Sequence, residues 1–257
     1  MKIKSFSVFS YLTSVYLFFY VPIITLIIYS FNDAQYSLLW HGFSFRWYQE
    51  LFTDSGLWLA TFNSLILGVT AATIAMGIGG LIAISLYRYE FLGKQFLFGL
   101  IFILILSPDI VMGIALLILF SFIKIDMGFW SLLLAHITFC IPFVVITVYS
   151  RICSFDENIF EAAKDLGAQD ITVVTRIIIP LLWPALLAGW LLSFTLSIDD
   201  VLISYFVAGP DFVTLPLKIY AMVRLGVKPE INALCSVTFA LTLLMILSYQ
   251  FLIRKKP

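Results

Sequence analysis

Charge is scarce in this sequence. Only 12% of its 257 residues are Asp, Glu, Lys or Arg, about half the share of an ordinary soluble domain. With 62% of the chain hydrophobic, too few polar residues remain to coat a water-exposed surface, which excludes a conventional soluble fold. The 15 bases and 15 acids cancel, and the absence of a basic patch argues against a nucleic-acid partner. The one cluster of bases, Arg254, Lys255 and Lys256, stands at the end of the chain and reads as a membrane-edge anchor. Cysteine is rare too. Cys140, Cys153 and Cys235 lack metal-ligand or disulfide-framework spacing and read as small packing residues. There is no Gly-x-x-x-x-Gly-Lys-[Ser/Thr] phosphate loop, no His-Glu-x-x-His pair and no nucleophile elbow. The chain is therefore expected to be no enzyme and to bear no cofactor. Any ATP-driven role must borrow a separate ATPase.

Long apolar runs fill the space that charge leaves. A helix needs about 20 apolar residues to cross the hydrocarbon core, and six stretches qualify: 8–31, 62–86, 96–120, 129–150, 177–206 and 233–253. The fold class expected is all-α, a polytopic membrane protein of six transmembrane helices in a single permease domain over 1–257. The first run follows Lys2 and Lys4. It is too long for a signal-peptide core and lacks a small-residue cleavage pattern, so it is expected to be retained. The fifth has two readings. It ends at Ile198, or it starts near Pro184 and continues past Asp199 and Asp200 to Phe206.

Orientation follows from Lys and Arg. With the N-terminus inside, 10 bases fall in cytoplasmic segments and 5 in outer loops. Both termini are then cytoplasmic, as is the connection 151–176. Trp47, Tyr48 and Tyr220, in the outer segments "FSFRWYQELF" and "LPLKIYAMVRLGV", suit the headgroup level.

The connection 151–176 is unlike the rest. "FDENIFEAAKDLGAQDITVVTRIIIP" holds 5 acids and 2 bases between two apolar runs. Ser154 and Glu157 have capping-box spacing. Ile159, Ala162, Ala163 and Leu166 recur at helical spacing and form an apolar stripe. Gly167 suits the left-handed residue that ends a helix, and Asp170 suits the cap of a second. The expectation is two short helices with a glycine corner. A narrow stripe with two alanines fits a shallow groove on another protein. The alternative, a helix resting on lipid, sits badly with its acidic flanks.

This segment resembles the EAA loop of binding-protein-dependent ABC importers. Glu161, Ala162, Ala163, Gly167, Ile177 and Pro180 fall at that family's spacings, with Ile179 where leucine is usual. The resemblance implies that the loop docks on the ATPase through Glu161, Ala162, Ala163, Gly167 and Pro180. "LYRYEFLGK", "SPDIVMGIALL", "SFTLSIDDVLISYFVAGP" and "LPLKIYAMVRLGVKPEINAL" extend the likeness to the PotC-type permeases of spermidine/putrescine importers. That family implies a bacterial inner-membrane subunit that forms half of a paired pore. Its partners are a second permease, a dimer of an ATPase that binds ATP and magnesium, and an extracytoplasmic binding protein.

Acids inside apolar runs are costly and normally face a cavity or a partner. Asp109 lies mid-run in "LSPDIV", where Pro108 also removes a backbone donor and Ser107 adds a hydroxyl. Asp199 and Asp200 are about 100° apart on a helix, so at most one points squarely into a pore. Read as a pathway, Ser107 and Asp109 form one site, Asp109 and Asp199 or Asp200 serve as successive cation stations, and Phe206 and Tyr149 are weaker candidates for the aromatic contacts. Each acid also has a plainer reading, as a packed Asp or a helix end. The charges alone suit any organic or metal cation; the polyamine cargo rests on the resemblance. Two rivals remain: an importer of another cation, and a standalone proton-coupled carrier using Asp109 and His136. A lone membrane histidine more often bonds a neighbouring helix.

Overall fold

The computed structural model describes residues 2–34, 39–156, 159–224 and 229–254. Glu157 of the expected capping box, and Lys255 and Lys256 of the expected anchor, lie outside them. Among the described residues the secondary structure is helical, apart from one isolated bridge between Asn32 and Phe43. Four helical stretches are long and apolar enough to cross a membrane, or five if one bent pair counts as a span. The chain forms two compact units, Met1–Trp58 with Ile219–Pro257, and Leu59–Lys218.

In the first unit, α1 (Lys2–Tyr29) and the short α2 (Arg46–Thr53) pack against α12 (Pro229–Arg254). The link after α1 is tied down by polar bonds. The buried Trp47 indole donates to the Asn32 carbonyl at 2.7 Å, and Asn32 Nδ2 donates to the Leu39 carbonyl at 2.8 Å. Phe31, Phe43, Phe45 and Tyr48 stack around this link. The next helix, α3 (Ser55–Arg88), starts seven residues before the expected 62. Asp54 is the reason: its Oδ1 accepts the N–H of Gly56 at 2.7 Å and of Leu57 at 3.0 Å, an N-cap that hydropathy does not see.

The second unit is built around α6 (Phe129–Ile152), which packs against α9 (Ile179–Asp199), α4 (Lys94–Leu106) and the short α10 (Leu202–Val207). Small residues let backbones close in, as is usual between membrane helices: a Cβ on Gly79 of α3 would stand 2.8 Å from Val144 of α6.

The expected span over 96–120 is not a continuous helix. It breaks into α4 and α5 (Asp109–Phe122), bent by 113°. Proline causes the break. Ser107, before Pro108, takes extended backbone (ψ 132°), as the residue before a proline must. Pro108 has no N–H to continue α4, and its carbonyl instead accepts the Val111 N–H at 2.9 Å to start α5. At 13 and 14 residues, each half reaches only about 20 Å, too short to cross a bilayer core by itself.

The fifth run is helical from α8 (Asp170–Val173) through a π-helical turn (Val174–Ile178) into α9. The wide turn falls just before Pro180, whose ring would clash with the Arg176 carbonyl in a regular helix. The helix ends at Asp199, and α10 begins after a break at Asp200 and Val201. The continuous helix therefore stops close to Ile198, and no single helix reaches Phe206.

Candidate functional site

The connection after α6 forms the expected corner. Here α7 (Ile159–Asp165) ends at Gly167, which adopts φ +84°. The Ala168 N–H bonds the Ala163 carbonyl at 3.1 Å and the Gly167 N–H bonds the Lys164 carbonyl at 2.8 Å, the paired bonds of a Schellman cap. Two expected caps fail. Ser154 turns its hydroxyl back to the Arg151 carbonyl at 2.7 Å, closing α6 rather than opening α7. Asp170 is the first residue of α8, not its cap, and its Oδ1 pairs with Lys164 Nζ at 2.7 Å across the corner. The apolar stripe is also divided. Ala163 is buried and Ile159 packs on the core, whereas Leu166 is 89% exposed, with Glu161 and Ala162 exposed beside it. Pro180 is the second residue of α9, just beyond the π-helical turn.

The expected pathway residues separate into two kinds. Asp109 is exposed at the first position of α5, and Asp199 is exposed at the last position of α9. Ser107 is half-buried at the α4–α5 break. Asp200 is buried and already satisfied by this chain. Its Oδ1 accepts the Ile203 N–H at 3.1 Å, and its Oδ2 accepts the Ser204 N–H at 2.7 Å and the Ser204 hydroxyl at 2.8 Å. These bonds cap α10 and leave Asp200 little capacity for a cargo ammonium. Phe206 is half-buried and spent on packing: a Cβ on Gly113 of α5 would stand 2.8 Å from its ring. Tyr149 packs edge-on against Phe98.

His136 of α6 completes this second group. Its Nδ1 lies 2.7 Å from Ser197 Oγ, and its Nε2 lies 3.1 Å from Ser204 Oγ and 3.5 Å from Asp200 Oδ2. The bland expectation for a lone membrane histidine, bonding to a neighbouring helix, is the one found. Its partners were not deducible from sequence, although the unusual polarity of Ser193, Ser197 and Ser204 was a signal. Among the described residues no group of acids, histidines and cysteines could hold a metal ion.

The sequence profile of binding-protein-dependent transport system inner membrane components matches residues 75–255. The spermidine/putrescine transport system permease protein PotC of Escherichia coli (strain K12) is 51% identical over 246 residues, 96% of this chain and 93% of that protein. The putrescine transport system permease protein PotI of the same strain is 41% identical over 226 residues, 85% and 80% of the two chains. A bacterial ABC transporter involved in the import of the acidic polysaccharide alginate shares the fold, with a TM-score of 0.72 at 16% identity over 100% of this chain and 97% of that one. The profile, the relatives and the multi-helix apolar fold agree: this chain belongs to the family of binding-protein-dependent transport system inner membrane components.

Proposed function

We propose that the chain is the transmembrane permease subunit of an ATP-driven polyamine importer and forms half of its translocation pathway. The observation that carries this reading is the 51% identity to a spermidine/putrescine permease over 96% of the chain. The chain crosses the membrane six times with both termini cytoplasmic, the bent α4–α5 pair counting as one crossing. The excess of bases on the inner side supports this orientation.

The corner at Gly167 faces the cytoplasm and docks on the ATPase. Leu166, Ala162 and Glu161 supply an exposed face, while Ala163 and Ile159 anchor the corner to the permease core. The π-helical turn lies between this corner and α9, whose second residue is Pro180, so a push on α7 is passed to the pathway helix. A dimer of the ATPase binds ATP and magnesium and supplies that push. A second, homologous permease completes the pathway, and an extracytoplasmic binding protein delivers the cargo.

Asp109 and Asp199 are the cation stations, because both are exposed carboxylates at helix ends within apolar runs. A polyamine carries separated ammonium groups on an alkyl chain. Each ammonium takes a carboxylate, and the methylenes tolerate the apolar walls. Asp200 and Phe206 support the pathway from behind.

Reconstituted vesicles test the reading. ATP-dependent spermidine or putrescine uptake is expected only with ATPase, partner permease and binding protein all present. Asp109→Asn is expected to raise the KM for uptake about tenfold or more, the scale of one charge-assisted hydrogen bond. Uptake by this chain alone, driven by a pH gradient, would instead establish the proton-coupled carrier.

A further inference from the structure

The polar cluster around His136 has a hydrogen-bond order that its distances fix. Ser204 Oγ lies 2.8 Å from Asp200 Oδ2, so its proton points to the carboxylate. Its lone pair is then left for His136 Nε2, 3.1 Å away, which must carry a proton. A bare Nε2 would also set a lone pair against Asp200 Oδ2 at 3.5 Å. In the neutral imidazole Nδ1 is the acceptor and takes the Ser197 hydroxyl proton at 2.7 Å. The chain Ser197–His136–Ser204–Asp200 runs in one direction and leaves none of its four side chains unpaired.

This chain joins three elements at one ring. His136 belongs to α6, Ser197 to the last turns of α9, and Ser204 to α10, whose start Asp200 caps. The linkage continues by packing. Ile203 and Phe206 of α10 hold α5 at Gly113, where even a Cβ would meet the Phe206 ring at 2.8 Å and the Ile203 Cα at 3.3 Å. Gly113 lies about one helical turn after Asp109. Asp199 directly precedes the capping carboxylate.

We propose that His136 is a positioning residue: by donating Nε2–H toward Ser204 and Asp200 it holds α10, and through α10 it sets the N-terminus of α5 and the end of α9, where Asp109 and Asp199 stand. The inference deepens the proposed function and rests on reading those two acids as cargo stations. His136 touches no cargo. It acts on uptake by fixing where the stations lie.

The test uses the assembled transporter with three variants. His136→Gln places an amide N–H near the position of Nε2–H. His136→Asn is too short and matches only the Nδ1 side. His136→Leu keeps bulk and removes both. The first readout is hydrogen–deuterium exchange. Exchange over 202–207 and 109–116 is expected to rise about tenfold or more in His136→Leu and His136→Asn, the factor for losing a hydrogen bond to a buried charge. It should return toward wild type in His136→Gln, with α7 unchanged throughout. The second is uptake, where KM is expected to rise in Leu and Asn by a similar factor and recover in Gln, with basal ATP hydrolysis unchanged. Equal exchange increases across the whole Leu59–Lys218 unit in all three variants, or no increase at α10 in any, would overturn the positioning role. The two readings fail separately. If exchange follows the expected pattern but neither His136→Leu nor Asp109→Asn alters KM, the cation stations fall while the linkage from His136 to α10 stands.

Discussion

At the Gly167 corner, the hydrogen bonds join near neighbours: Ala168 to Ala163, Gly167 to Lys164, Leu166 to Ala162. Around His136, the partners are 61 and 68 positions away in sequence. The first region is a backbone motif selected by one residue's freedom at positive φ. The second exists only because α6, α9 and α10 are packed together. The first is exposed and presents a bare leucine outward. The second is sealed, with the His136 and Asp200 side chains 1% and 4% exposed. The difference teaches where each kind of fault should appear. Damage to the corner should alter docking and spare the fold, whereas damage to the cluster should loosen α10 and the helix ends it holds and cost the fold stability.

The strongest way to break this contrast is Asp200→Ala. It strips the acceptor from two backbone N–H groups and one hydroxyl in a buried place. A loss of about 3–5 kcal/mol is expected, the usual cost of breaking a buried charged network, seen as a lower unfolding temperature of the purified complex and less folded protein. A stable Asp200→Ala complex would show that the cluster is ornamental to folding.

Gly167→Ala should have a smaller effect. Holding alanine at φ +84° costs about 1–2 kcal/mol, and the space around the site is open, so the cost is local. The purified complex should lose ATPase co-purification with little change in global unfolding, and Gly167→Asn should be milder because asparagine tolerates this backbone. An equal loss of folded permease would erase the distinction between the two regions.

Lys164→Ala should be mildest. The Lys164–Asp170 pair is largely exposed, with side chains 39% and 57% accessible, and such pairs are screened by water and salt. No resolvable change in unfolding temperature is expected. A modest fall in coupled ATP hydrolysis that wild type also shows at high salt would sharpen the comparison, by separating the pair's hold on the corner from the backbone cap.

The sequence carried much of the fold because hydropathy and bilayer thickness together leave few choices. The runs near 8–31, 62–86 and 129–150 appear as α1, α3 and α6 with shifts at their ends. The shifts have local causes, such as Asp54 capping α3 early. The bend after α4 was half legible: Ser107 and Pro108 marked a fault, while hydropathy averaged it away. Glu161, Ala162, Ala163 and Gly167 were legible as a group because their spacing is local. Which face of that group points outward was not, since Ala163 faces the core and Ala162 does not.

The two adjacent acids mark the limit. Asp199 and Asp200 have the same side chain and the same apolar neighbourhood in sequence, and a one-residue step separates an exposed carboxylate from a buried cap. By itself the sequence determined that the chain lives in a membrane, that Pro108 sets a fault inside one of its runs, and that a charged corner at Gly167 stands apart from them. These follow from transfer free energies and backbone sterics, which act over a few residues. Only the tertiary structure decided that α5 folds back on α10 and that His136, Ser197, Ser204 and Asp200 form one network. Those outcomes depend on distant helices meeting at particular rotations, and no local property of the chain encodes a rotation.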